Sequence, residues 1–152
     1  MRLILQLVLP ADARLLPRTR RAIAEYLAEI GATEEHVDDV ILALDEACAN
    51  VIRHAFPDGD NGCFRLVAEI SDDDITMAVE DDGVGFAPGD VDLRTPAPPI
   101  DLHAADVDEH MPTSGRGLDI IRKVMTSVEV RSPTESGIGT RLIMTKRLRE
   151  PV

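Results

Sequence analysis

Positive charge is scarce in this sequence: 16 Lys and Arg stand against 28 Asp and Glu, for a formal net charge of −12. A general nucleic-acid binder draws its affinity from phosphates neutralised by Lys and Arg, so this balance argues against one, and equally against an anionic membrane surface as partner. It leaves room for a basic protein partner, because acidic surfaces steer basic ones. Long apolar runs are missing too, and nothing approaches the ~18 uninterrupted apolar residues of a bilayer span. The opening stretch from Met1 to Pro10 is apolar with Arg2 as its one charge. A signal peptide would need a longer apolar stretch and a small-residue cleavage site, and a buried strand accounts for the run better. Two cysteines, Cys48 and Cys63, make no disulfide framework and read as small residues of a reduced, cytoplasmic interior. Also absent are a nucleophile triad, a paired Cys/His metal cluster and a Walker-type Gly-Lys-Ser/Thr.

What is present is a globular share of hydrophobic residues, 44% over 152 residues, enough for one domain (1–152) with an ordinary core. Residues 2–9 read as a strand stopped by Pro10. From 11 to 30 the apolar positions Leu15, Leu16, Ala22, Ile23, Tyr26, Leu27 and Ile30 follow a helical spacing. Gly31 is placed to end that helix, and Thr33 to cap a second one over 34 to about 55. In the second helix Val37, Val40, Ile41, Leu44, Ala47, Cys48, Val51 and Ile52 recur at three and four, which marks one apolar face. A turn-rich stretch at 57–62 leads to two strands, 63–70 and 75–80, joined as a hairpin through 71–74. Helical spacing returns at Leu118, Ile121, Val124 and Met125, and strands at 128–131 and 139–146 close the pattern. Between them, residues 87–114 show no period. They hold Pro88, Pro96, Pro98, Pro99 and Pro112, the histidines His103 and His110, and Arg94 alone among acids. A structureless insert of this length reads as a functional lid or as disorder. The order of elements predicts an α+β fold, a two-layer sandwich with a mixed sheet and helices on one face.

Three places carry chemistry. Glu46, Asn50 and His54 fall at i, i+4 and i+8 of the long helix, so they share a face. An amide oxygen such as that of Asn50 is a hard ligand of the kind Mg²⁺ accepts, and a carboxylate one turn earlier can take a proton from a hydroxyl. A solvated helix face would show the same three residues. After the third strand, Asp81 precedes Gly83 and Gly85; glycines let backbone approach a ligand, and an ionised Asp suits the exocyclic amino group of adenine. Asp-Gly is also an ordinary turn dipeptide. The third place is Gly115-Arg116-Gly117 at the opening of a helix, where free backbone N–H groups can hold phosphate.

Each element is weak alone, but their conjunction in this order, ending in Gly139-Thr140, resembles the GHKL ATPase superfamily of gyrases, histidine kinases and mismatch-repair proteins. Within it the run Asp45–Phe56, the segment Gly115–Met125 and the ending Gly139–Lys146 are most similar to the small anti-sigma-factor serine/threonine kinases of bacteria. The resemblance implies a Bergerat-type ATP-binding fold with ATP and Mg²⁺ as cofactors. On its pattern Asn50 is the Mg²⁺ ligand, Glu46 the general base and Asp81 the adenine-reading carboxylate. Gly83 and Gly85 shape the pocket floor, Gly115, Arg116 and Gly117 form the phosphate-facing hinge of an ATP lid at about 87–114, and Thr140 supports the adenine site. Cationic contact with phosphate is expected from Arg94 or Arg116, and His54 ranks below the others as a structural residue. Asp82, beside Asp81, either points to solvent or raises its neighbour's pKa. The pattern assigns no role to His103 or His110, which read as solvated loop residues.

The resemblance further implies a protein kinase that phosphorylates an anti-anti-sigma antagonist on Ser or Thr and sequesters a sigma factor, in a cytoplasmic homodimer. The alternative is an ATP-dependent binding switch that transfers nothing. The ATP-binding half of a sensor histidine kinase is disfavoured, since the chain opens on its first strand with no phospho-acceptor hairpin before it. Arg2, Arg14, Arg18, Arg20 and Arg21, against Asp12 alone, make a basic end that either meets an acidic patch of a second subunit or covers the surface.

Overall fold

The computed structural model describes residues 1–54, 62–81, 117–131 and 140–150. The expected lid, the motif residues Gly83, Gly85, Gly115 and Arg116, and the lid's Arg94, His103 and His110 lie outside them. The chain runs β1 (Arg2–Pro10), α1 (Leu16–Glu29), α2 (Glu34–His54), β2 (Cys63–Ser71), β3 (Asp74–Asp81), α3 (Gly117–Val124), β4 (Ser127–Arg131) and β5 (Thr140–Arg147). These strands form a five-stranded sheet in the order β1-β2-β3-β5-β4.

The helix expected from residue 11 begins at Leu16, after a short 3₁₀ turn over Ala13–Leu15. Pro17 explains the late start, because a residue without an N–H is tolerated only in the first turn. Asp12 caps the 3₁₀ turn by accepting from the Arg14 N–H, and the Arg14 guanidinium holds its carboxyl down to about 2. At the other end of α1, the N–H of Ala32 donates to Leu27 O and that of Gly31 to Ala28 O, both at 3.0 Å. This is the Schellman closure, and it requires the left-handed φ of +81° that Gly31 adopts. A Cβ at Gly31 would meet nothing within 4 Å, so only backbone strain opposes a side chain there. Gly31→Ala is therefore expected to cost about 1 kcal/mol of stability, read as a lower urea midpoint at unchanged m. Thr33 caps α2 as its position predicts, its Oγ1 accepting from the His36 N–H at 3.2 Å, while Glu34 and Glu35 complement the helix dipole.

Every described strand pairing is antiparallel, which corrects the expectation of a mixed sheet. Two helices in succession between β1 and β2 return the chain in the opposite sense, where a single crossover helix would have made the neighbours parallel. The single helix α3 does leave β4 running in the same sense as β3. β5 is inserted between those two strands and pairs antiparallel with both.

The helices cover one face of the sheet, as expected. Phe64, Leu66, Ala68 and Ile70 of β2, Ile75, Met77 and Val79 of β3, and Leu142 and Met144 of β5 pack against Ile23, Leu27, Val40, Leu44, Ala47, Cys48, Leu118 and Ile121. Lys146 adds a polar fastening on this side: its Nζ donates to Asp39 Oδ2 of α2 at 2.8 Å and to Val124 O at the end of α3 at 2.6 Å. The opposite face carries a small apolar group of Val67, Ala78 and Ile143. Both cysteines are free thiols; Cys48 is buried, and desolvation, with Asp45 nearby, pushes its thiol up to about 12. Among the described residues no helix is long and apolar enough to cross a membrane.

Candidate functional site

Residues 43, 44, 47 and 48 of α2 are buried against the sheet, which rotates 46 and 50 to the edge of that apolar stripe, where both are half-buried. The N-terminus of α3 is brought to the same place. A Cβ built on Gly117 would stand 3.0 Å from Asn50 Nδ2, 3.1 Å from Glu46 Oε2 and 3.4 Å from Asn50 Oδ1. Glu46, Asn50 and Gly117 therefore meet at one spot, and Gly117, itself buried, is tolerated there because it has no side chain. The polar stripe of α2 is not simply a solvated helix face; one side of it is closed by α3.

Charge at this spot is negative. Asp45 is adjacent to Glu46, and its carboxyl lies above the ordinary value, first because it is partly buried, with the charge of Glu46 acting in the same direction and Arg20 opposing. Arg20 Nε lies 3.3 Å from Asp45 Oδ1, so Asp45 is ion-paired with α1 and Glu46 is the carboxylate at Gly117. Net negative charge beside an amide oxygen is a donor set that suits a hard divalent cation.

Asp81 is the last residue of β3 and is buried. Side chains alternate along a strand, so it shares the helix-covered face with Met77 and Val79, while Glu80 lies on the other. Its cross-strand partner is Thr140, the first residue of β5. The sheet register thus places together two residues, Asp81 and Thr140, that the sequence holds far apart. The third residue of the helix triplet, His54, lies in the last turn of α2. Gly83, Gly85, Gly115 and Arg116 fall outside the described residues. Sequence reasoning missed a pair of arginines around Glu80, next to Asp81. Arg65 Nη2 donates to Glu80 Oε2 at 2.8 Å, and Arg141 Nε lies 2.8 Å from Glu80 Oε1. In the sequence these three are outward positions of alternating strands, and only the register unites them.

Three comparisons bear on this arrangement. Residues 9–146 match the histidine kinase-like ATPase domain. An anti-sigma F factor of Clostridium novyi is 32% identical over 130 residues, covering 86% of this chain and 84% of that protein. A serine-protein kinase RsbW of Bacillus cereus is 28% identical over 142 residues, covering 93% of this chain and 83% of that protein. Among solved structures, the RsbU and RsbW domains of a Mycobacterium tuberculosis protein superpose with a TM-score of 0.64 at 20% identity. That match takes in 99% of this chain and 34% of the other, and at this identity it is a likeness of fold.

Proposed function

The chain belongs to the histidine kinase-like ATPase domain family, and from that premise we propose that it is an ATP-dependent serine/threonine protein kinase acting as an anti-sigma factor. It phosphorylates an anti-anti-sigma antagonist and holds a sigma factor, working as a homodimer. The observation that carries this reading is the meeting of Glu46, Asn50 and Gly117. One helix face presents a carboxylate and an amide oxygen where the first residue of α3 leaves space that a Cβ would fill. The relatives' names, anti-sigma F factor and serine-protein kinase, support both halves of the proposal.

These residues fit Mg-ATP. When bound, it supplies the γ-phosphoryl group and the metal charge that neutralises the phosphates. Asn50 would hold the metal through Oδ1, and Asp81, with Thr140 beside it, would accept a hydrogen bond from the adenine amino group. Glu46 Oε2 accepts the proton of the incoming Ser or Thr hydroxyl, or orients that hydroxyl for attack. Gly117 would let the first turn of α3 come close to the phosphates, where the free backbone N–H groups of that turn would supply partial positive charge. Phosphoryl transfer asks for positioning and charge stabilisation more than covalent machinery, so this short set of groups is sufficient.

The test is transfer of labelled γ-phosphate from Mg-ATP to candidate antagonist proteins encoded in the same genome. Phosphoserine or phosphothreonine on one antagonist is expected, with Asn50→Ala lowering the transfer rate about 10²-fold or further. Nucleotide binding without transfer to any candidate would favour the binding-switch reading, since the name anti-sigma F factor says nothing of catalysis. A chain that binds no nucleotide would overturn both.

A further inference from the structure

Glu80 and its two arginines sit on the face of the sheet opposite α1, α2 and α3. Arg65, Glu80 and Arg141 are consecutive cross-strand neighbours on β2, β3 and β5. Each oxygen of the Glu80 carboxylate is taken by a different guanidinium, at 2.8 Å in both cases. The three side chains are 2%, 7% and 12% exposed for Arg65, Glu80 and Arg141. The next row along the same face is Val67, Ala78 and Ile143, which is apolar. A buried ionic triad is weak evidence for stability, because well-packed apolar side chains of similar volume serve as well or better. What it supplies that an apolar row does not is direction, through one charge-assisted hydrogen bond from Arg65 and one close ion pair with Arg141 on a single carboxylate.

The location says what is being directed. The ladder between β2 and β3 ends at the pair Arg65–Glu80, whereas that between β3 and β5 continues one residue further, to Asp81–Thr140. Asp81, paired with Thr140 of β5, therefore lies one residue past the point where all three strands are tied together. We propose that the Arg65–Glu80–Arg141 triad is a positioning device for base recognition: it aligns the ends of β3 and β5 from the back of the sheet, so that Asp81 and Thr140 meet the purine from the front. Glu80 itself touches no substrate, since alternation turns it away from the helix-covered face. This inference rests on reading Asp81 as the base-recognising carboxylate, and its consequence is purine selectivity.

The experiment compares affinities for Mg-ATP and for Mg-ITP, whose base carries a carbonyl oxygen in place of the exocyclic amino group. Three variants are measured beside wild type: Asp81→Asn, Glu80→Gln, and the combined Arg65→Met/Glu80→Leu/Arg141→Met, which removes all three charges together and so leaves none buried alone. Circular dichroism and thermal unfolding without nucleotide establish that each is folded. The preference for ATP over ITP is expected to fall about tenfold or further in Glu80→Gln and in the combined variant. The combined variant should melt within ~5 °C of wild type, as a replacement by apolar side chains permits. A merely structural triad would lower affinity for both nucleotides alike or for neither. A folded combined variant that keeps the wild-type preference overturns the proposal, even if Glu80→Gln fails to fold. If Asp81→Asn leaves the preference intact, the reading of Asp81 falls, and the proposal with it. If Asp81→Asn abolishes the preference and the combined variant does not, the reading stands and the proposal alone is lost.

Discussion

Glu46→Gln is expected to slow phosphoryl transfer to the antagonist by about 10²–10⁴-fold while Mg-ATP affinity stays close to wild type. Gln keeps the length and planar shape of Glu, so the contact at Gly117 is preserved and only the capacity to accept a proton is removed. The neighbouring carboxylate offers no ready substitute: Asp45 is engaged with Arg20 and its carboxyl is displaced upward by burial. Single-turnover transfer, measured with nucleotide already bound, separates this effect from binding. A wild-type rate in the variant would take the general-base role away from Glu46 and return it to an orienting one at most.

Gly117→Ala should give the second large effect; Gly117 is the first residue of α3, so the advantage that Ala has over Gly inside a helix applies there only weakly. Its methyl group would stand 3.0 Å from Asn50 Nδ2 and 3.1 Å from Glu46 Oε2, so both side chains must give way by a few tenths of an ångström. Helix propensity at this terminal position offsets the crowding only in part, and thermal stability without nucleotide should fall by a few degrees. Activity has no such compensation. The two groups proposed as general base and metal ligand are displaced at once, and a rate about 10²-fold lower is expected. Gly117→Val, with a larger and stiffer side chain, should be worse on both counts. Full activity in Gly117→Ala would mean that Glu46 and Asn50 can rearrange freely, and that their meeting in the structure is not what catalysis uses.

Much of this arrangement was legible in the sequence, because it depends on local rules. The three-and-four recurrence from Val37 to Ile52 set the face of α2 on which Glu46 and Asn50 lie. Gly31 and Thr33 carried the signals for the end of one helix and the start of the next. The hairpin of β2 and β3 followed from two alternating runs around Ser71–Asp74, where the Ser71 hydroxyl accepts from the Asp73 and Asp74 N–H groups. What could not be read is non-local. Nothing in the run Thr140–Arg147 says that it inserts between β3 and β4, so the sheet was expected to be mixed and the pairing of Thr140 with Asp81 was not foreseen from spacing. Arg65, Glu80 and Arg141 lie on three different strands, and only the register turns them into a buried ionic unit. The start of α1 at Leu16 was legible in principle, through Pro17, but the apolar spacing extended back beyond it and masked the signal.

The place of β5 has a consequence for the chain before it is folded. β3 and β4 are both made earlier in the sequence than the strand that joins them. Until β5 docks, β3 presents a free edge along Asp74–Asp81 in which Ile75, Met77, Ala78 and Val79, all fully buried in the finished protein, are uncovered. An unpaired apolar edge is a template for any extended segment, including the β5 of another copy. The insertion that brings Thr140 beside Asp81 thus also makes the last step of sheet closure the one most open to misassembly between chains, where concentration rather than sequence decides which strand arrives first.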